Sequence, residues 1–335
     1  MYQRFYGLRE LPFELTPNPK YLYLTAMHRE ALSNLEYGLF AAKSLTVLIG
    51  EAGTGKTTLL RAALDSERCV GVRCVYLGNP ALTRAEFVTM LATRFGLTDE
   101  ASRSKARLLE ELERTLRERR DRGEITALVV DEAQALSTEL LEEIRLLANI
   151  ETADEKLLPL VLAGQPELSD RLEDSELRQL KQRVALRCEI TPFQLPETAA
   201  YIATRIRVAG GTPSKLFTRE GIGLIHEYSG GIPRTVSVIC DNALVSGMAL
   251  ERQPVDRSIV LEVCRDFRFR GNGESPQSVL SGDDVIETTE NTPPPETATS
   301  QPPAKAETAD ADPRPRRFSL FGSRSRYGAM KGISE

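Results

Sequence analysis

The chain has 335 residues, of which 41% are hydrophobic, and carries a formal net charge of −5. That is enough apolar material for one large domain and a smaller one, and the near balance of acidic and basic residues up to Gly271 argues against a strongly basic nucleic-acid-binding body, leaving room only for a local patch. The five cysteines lie in apolar runs without CxxC pairing, which reads as buried reduced thiols rather than a metal site.

The opening MYQRFYGLRE lacks the apolar core of a signal peptide, and no window approaches the roughly 18 apolar residues of a membrane span. A cytoplasmic protein is expected. Residues 1–25, with Phe5, Leu8, Pro12, Phe13, Pro17 and Pro19, read as an extended segment laid on a domain rather than a helix. From Met27 to Ala42 the pattern turns helical, with Ala31, Leu32, Leu35 and Leu39 on one face. Leu45–Ile49 is a continuous apolar run of the kind buried in a parallel sheet. Arg73–Leu77, Thr126–Val130, Leu157–Ala163 and Arg187–Ile190 read as further strands. Helical stretches separate them, among them Lys105–Arg120 and one beginning at Ser137 as N-cap. This alternation predicts an α/β fold whose parallel sheet is flanked by helices. After Pro192 the strands stop, and four helices are expected at Thr198–Ala209, Thr218–Tyr228, Arg234–Ala249 and Arg257–Arg265.

Between the first strand and its helix, Gly50-Glu51-Ala52-Gly53-Thr54-Gly55-Lys56-Thr57 matches G-x-x-x-x-G-K-[ST] in full, with Thr58 following. Such glycines let successive backbone N–H groups turn inward onto phosphate oxygens, and the helix adds its positive N-terminal dipole. Lys56 is placed to reach the β- and γ-phosphates of ATP, and Thr57 to offer its hydroxyl to Mg²⁺. The bland alternative is a Gly-rich turn that binds nothing, but the buried strand before it and the apolar helix face Leu59, Leu60, Ala63 and Leu64 after it supply the expected context.

Roughly 75 residues after the loop, the strand Ala127–Val130 ends in Asp131 and Glu132. Alone, such a pair is usually only a helix start. With the loop, Asp131 is expected in the Mg²⁺ shell and Glu132 as the group that polarises the attacking water. Gln165, ending a later strand, either orients that water or caps the following turn. Asn79, ahead of Pro80, reads as a turn residue with a weaker claim on the site.

Together these residues resemble the AAA+ superfamily and, more narrowly, the ATPases related to general secretion pathway protein A. The narrow resemblance rests on FYGLRELPFELTPNPKYLYLT followed by His28, on GEAGTGKTT, VVDEAQ, LAGQPEL, LRQLKQRV and SGGIPR, and covers about residues 1–266. It implies an ATPase core over 1–192 and a helical lid over 193–270. It also implies that Arg234 senses the γ-phosphate from the lid, and that Arg183 is the finger offered to a neighbouring subunit in a homo-oligomer, with Arg178 as its rival. On residues alone, Arg234 is a helix-start residue and Arg183 a solvated charge. An oligomeric ATPase energising or switching a secretion, envelope or exopolysaccharide assembly system is the expected function. A nucleic-acid-associated regulator of the transposition type is the alternative, and a non-hydrolysing adaptor is disfavoured by the complete Lys56, Asp131 and Glu132.

Residues 271–312 are Pro-, Thr- and acid-rich with almost no large apolar side chains, and read as a disordered linker. Residues 313–335 are basic, with Phe318, Leu320, Phe321 and Tyr327 interleaved. They are expected to recruit a protein partner, with peripheral membrane contact as the other option. Relatives of the secretion protein often carry a membrane span and a peptidoglycan-binding module after the ATPase, and with this linker and tip in that place direct cell-wall binding is not expected.

Overall fold

The computed structural model describes residues 1–269 other than Pro17, Asn79 and Pro80. The acidic linker and the basic tip therefore lie outside the described residues, as does the reading of Asn79.

Five parallel strands form one sheet: β1 (Leu45–Gly50), β2 (Val72–Leu77), β3 (Ile125–Val130), β4 (Leu160–Gly164) and β5 (Val184–Ile190). They are ordered β2-β3-β4-β1-β5. The central strands β1 and β4 are buried at every position, because helices cover both faces and every side chain needs to be apolar or small. Successive residues alternate between the two layers. Leu45, Val47 and Ile49 join the core that holds Leu128, Val130, Leu160 and Leu162. Leu48 faces the other way, with Ala127, Val129 and Val161, against Leu35, Leu39, Leu59 and Leu60.

The edges of the elements depart from the sequence reading for local reasons. β4 starts at Leu160 rather than Leu157, although Leu157 and Leu158 are buried. Pro159 has no N–H to give a ladder, and contributes only its carbonyl, which accepts from Leu128 N–H at 3.0 Å. β5 begins at Val184, three positions before the expected Arg187, because an edge strand exposes alternate residues and shows no continuous apolar run. Ser137 does cap the helix Thr138–Leu147, accepting from Leu140 N–H at 3.2 Å.

The chain after Ile190 folds into helices at Leu195–Val208, Arg219–Ser229, Pro233–Ala249 and Arg257–Asp266, with one added turn at Pro213–Leu216. Their shared core contains Ile202, Ile206, Leu224, Ile239, Leu244 and Val260. The N-terminal segment joins this core rather than the sheet, and it is not wholly extended. Tyr2–Tyr6 is a short helix closed by Gly7 in the left-handed region (φ 68°), and Pro19–Tyr21 is a 3₁₀ turn. Tyr2 and Tyr6, one turn apart, enter the same face of Pro233–Ala249, where Tyr2 donates to the Asp241 carboxylate and Tyr6 to the Leu244 carbonyl at 3.2 Å. Leu8 and Phe13 follow them into the same core.

All five cysteines are free and four are buried, Cys74 being half-buried. Among the described residues no helix is long and apolar enough to cross a membrane.

Candidate active site

Parallel strands collect functional groups at their carboxyl ends, and here the order of the sheet brings the ends of β1, β3 and β4 side by side. Gly50 closes β1, Asp131 and Glu132 follow β3, and Gln165 follows β4.

The loop after β1 needs its glycines. Gly53 and Gly55 take φ values of 85° and 107°, which L side chains rarely adopt. A Cβ on Gly50 would stand 2.6 Å from Ile190 Cγ1, and one on Gly53 2.9 Å from Ile232 Cγ2. The loop therefore lies hard against both β5 and the helical domain, where Arg234 N–H donates to the Gly53 carbonyl at 3.3 Å.

Lys56 opens the following helix, Lys56–Leu64, and is 4% exposed. Its Nζ donates to the carbonyls of Gly50 at 2.7 Å and Glu51 at 3.0 Å. Burial pushes the ammonium below its ordinary pKa, against the pull of the Glu132 and Asp131 carboxylates. A buried cation held by carbonyls alone is poorly compensated. Phosphate oxygens would complete it, so this loop fits a nucleoside polyphosphate.

His28 braces the same loop from the helix Ala26–Phe40. Its Nε2 lies 3.3 Å from the Thr54 carbonyl, which can only accept, so Nε2 carries the proton. Nδ1 then accepts from the Thr25 hydroxyl at 2.7 Å. Burial lowers the His28 pKa, keeping the ring neutral.

Asp131 is 3% exposed and fully engaged. Its Oδ2 accepts from Thr57 Oγ1 at 2.6 Å and from the Tyr76 hydroxyl at 2.7 Å, and its Oδ1 accepts from Glu132 N–H at 3.0 Å. Burial, and then the bond to Asp131, raise the Tyr76 phenol well above its usual pKa. The hydroxyl of Thr57 and the carboxylate of Asp131 are hard oxygen donors of the type that suits Mg²⁺ alongside phosphate oxygens.

Glu132 sits in the left-handed region, with φ 55° and ψ 36°. For a residue other than glycine this costs on the order of 1–2 kcal/mol, and such strain gathers at working sites. Its Oε2 accepts from Gln134 Nε2 at 2.6 Å and from Gln165 Nε2 at 3.3 Å. Of the two readings of Gln165, capping is absent, since its side chain makes no bond to the helix Pro166–Glu173 that follows.

The resulting cleft has a volume of about 350 Å³. Lys56, Thr57, Glu132 and Arg234 line it on the phosphate side, while Tyr23 and Arg205 contribute to the remainder. Glu51 and Ala52, at the start of the loop, are exposed, and Thr58 also lines the cleft. The sequence reading missed Tyr76, Gln134 and Arg205. Arg205 is 9% exposed, bonded to Tyr201, Ser237 and the Glu14 carbonyl, and stacked 5.0 Å from the Tyr21 ring. Arg183 is elsewhere. It is exposed and precedes β5, whose first residue pairs with Leu45 while its last pairs with Gly50. Arg183 thus stands at the opposite end of the sheet from its own phosphate loop, and Arg178 is exposed on the short helix Arg178–Lys181 that comes shortly before it.

Residues 41–172 match the AAA domain family. General secretion pathway protein A of Aeromonas hydrophila is 39% identical over 249 residues, which is 74% of this chain and 45% of that protein. The chain thus spans under half the length of that curated relative. Among solved structures, the ORC2 protein of Aeropyrum pernix in its ADPNP–ADP complexes matches with a TM-score of 0.55 at 16% identity, over 76% of this chain and 71% of that one. Cdc6p of Pyrobaculum aerophilum matches with a TM-score of 0.57 at 16% identity, over 76% and 70%. At such identities these two show the fold alone. The phosphate loop on β1, the acidic pair on β3 and these similarities lead to one conclusion: residues 41–172 form a domain of the AAA family, in a chain similar to general secretion pathway protein A.

Proposed function

We propose that the chain binds ATP in this cleft and hydrolyses it with Mg²⁺, as one subunit of a homo-oligomer. Nucleotide binding and hydrolysis are general properties of the family, and one observation supports this chemistry here. Lys56, the Thr57–Asp131 pair and Glu132 converge where β1 and β3 end.

On binding, Lys56 exchanges its carbonyl partners for β- and γ-phosphate oxygens, and the backbone N–H groups of Gly53 to Thr57 take up the rest. Thr57 and Asp131 would hold Mg²⁺, which when bound offsets phosphate charge. Glu132 accepts a proton from water as the water oxygen bonds to the γ-phosphorus. The bond from that phosphorus to the β–γ bridging oxygen breaks, ADP leaves with the electron pair, and the proton passes on to solvent. Arg234, which lines the cleft, is suited to meet the γ-phosphate. Arg183, remote from its own loop, is suited to complete the site of a neighbouring subunit.

The similarity to the secretion protein supports a role in energising or switching a secretion or envelope assembly system, with a protein partner. A direct test measures ATP affinity by titration. Lys56→Ala removes the buried cation and should weaken binding by about tenfold or more, the order expected for one charge-assisted contact. Unchanged affinity would refute the site.

A further inference from the structure

We propose that Gln134 is a positioning residue that fixes the Glu132 carboxylate, so that one of its two oxygens, Oε1, receives the proton from water. The inference rests on the reading of Glu132 as the proton acceptor.

The geometry is specific at each atom. Ala133–Ala135 forms a 3₁₀ turn directly after Glu132, which folds Gln134 back toward the residue two positions before it. Gln134 Nε2 donates to Glu132 Oε2 at 2.6 Å. The other end of the amide is not free to exchange with it. Gln134 Oε1 accepts from the Gln165 backbone N–H at 3.1 Å, and a backbone N–H can face only an oxygen. The NH₂ group therefore has to face the carboxylate.

Neighbouring elements hold this amide in turn. Arg171 Nη1 donates to the Gln134 backbone carbonyl at 2.8 Å, tying the turn that carries the amide to the helix after β4. Gly164 leaves room for the amide, because a Cβ there would lie 3.0 Å from Gln134 Oε1 and 2.7 Å from Leu168 Cδ2. Gln165 Nε2 adds a longer bond to the same Glu132 oxygen. An oxygen accepting two N–H bonds is a poorer proton acceptor than its partner, so the two donors direct proton transfer to Oε1. Gln134 thus acts through Glu132, and its role is orientation.

The test uses full-length Gln134→Glu and Gln134→Met, each alone and combined with Glu132→Gln, with single-turnover ATP hydrolysis and nucleotide affinity measured separately. Gln134→Glu keeps the acceptor for Gln165 N–H but sets a second carboxylate against Glu132, adding like-charge repulsion to the loss of the donor, whereas Gln134→Met removes the donor without adding charge. Both single variants should slow hydrolysis by about tenfold or more with affinity changed less than about twofold, since loss of orientation acts on the reaction rather than on binding. In the Glu132→Gln background the same changes should have less than about a twofold effect, because nothing remains to be positioned. An equal slowing in both backgrounds, or no slowing in either single variant, would overturn the proposal. If Glu132→Gln itself hydrolyses ATP at the wild-type rate, the reading of Glu132 fails instead.

Discussion

The Thr57 hydroxyl donates to Asp131 Oδ2 at 2.6 Å, joining residues 74 positions apart in sequence. It links the first turn of the helix after the phosphate loop to the end of β3, and both of its oxygens belong to groups that bind hard cations. Thr57→Val keeps the shape and removes one of these oxygens. ATP binding without Mg²⁺ should stay within about twofold of wild type, while the gain in affinity on adding Mg²⁺ should fall by about tenfold or more. A titration with and without the metal checks this, and a wild-type gain in the variant would contradict it.

His28 ties the helix before β1 to the Thr54 carbonyl, and burial lowers its pKa below the ordinary 6.5. A depressed histidine pKa means that the unfolded chain binds the proton more readily than the folded one. Its contribution to stability is complete above about pH 6.5 and is lost progressively as pH falls through that value toward the lower folded pKa. His28→Asn should flatten the slope of unfolding free energy against pH in this window. Parallel slopes for variant and wild type in denaturant melts would remove His28 as the source.

Phe13 is 1% exposed and packs edge-to-face on Phe217, with ring centroids 6.2 Å apart. Phe13→Ala should lower stability by about 3–5 kcal/mol, as truncations of buried aromatics do. A loss below about 1 kcal/mol would mean that the N-terminal segment is not part of the helical core.

The sequence shows most clearly what is buried on both sides. β1, β3 and β4 stand out as unbroken apolar runs, and the loop and acidic pair at their ends follow from motif and spacing. The N-terminal helix was not legible. Its cue is two tyrosines one turn apart in a Pro-rich segment, and the partners that stabilise it, Asp241 and Leu244, lie far along the chain. The edge strand β5 was cut short because Ala185, Arg187 and Glu189 face solvent. Tyr76 and Gln134 gain meaning only when β2 lies beside β3 and the turn after Glu132 meets β4. Arg205 was hidden because a buried arginine on an amphipathic helix looks like one more surface charge until Tyr201, Ser237 and Tyr21 surround it.

Arg183 lies at the opposite end of the sheet from its own loop, which suits an arginine acting on a neighbour. Mixing Arg183→Ala subunits with Lys56→Ala subunits should restore part of the activity that each lacks alone, since some interfaces then pair an intact loop with an intact arginine. A trans-acting arginine can be worth roughly 10³-fold in rate, so the recovery should be easily measured. Co-assembly without recovery would move the role to another residue, Arg178 first.

Whether this cleft hydrolyses ATP with Glu132 activating water is decided by comparing wild type with Glu132→Gln for ATP affinity and turnover together. The variant should bind ATP within about twofold of wild type and turn it over on the order of 10²-fold or more slowly, the scale of lost general-base catalysis. Turnover at the wild-type rate by a variant that binds ATP normally would contradict this role of Glu132.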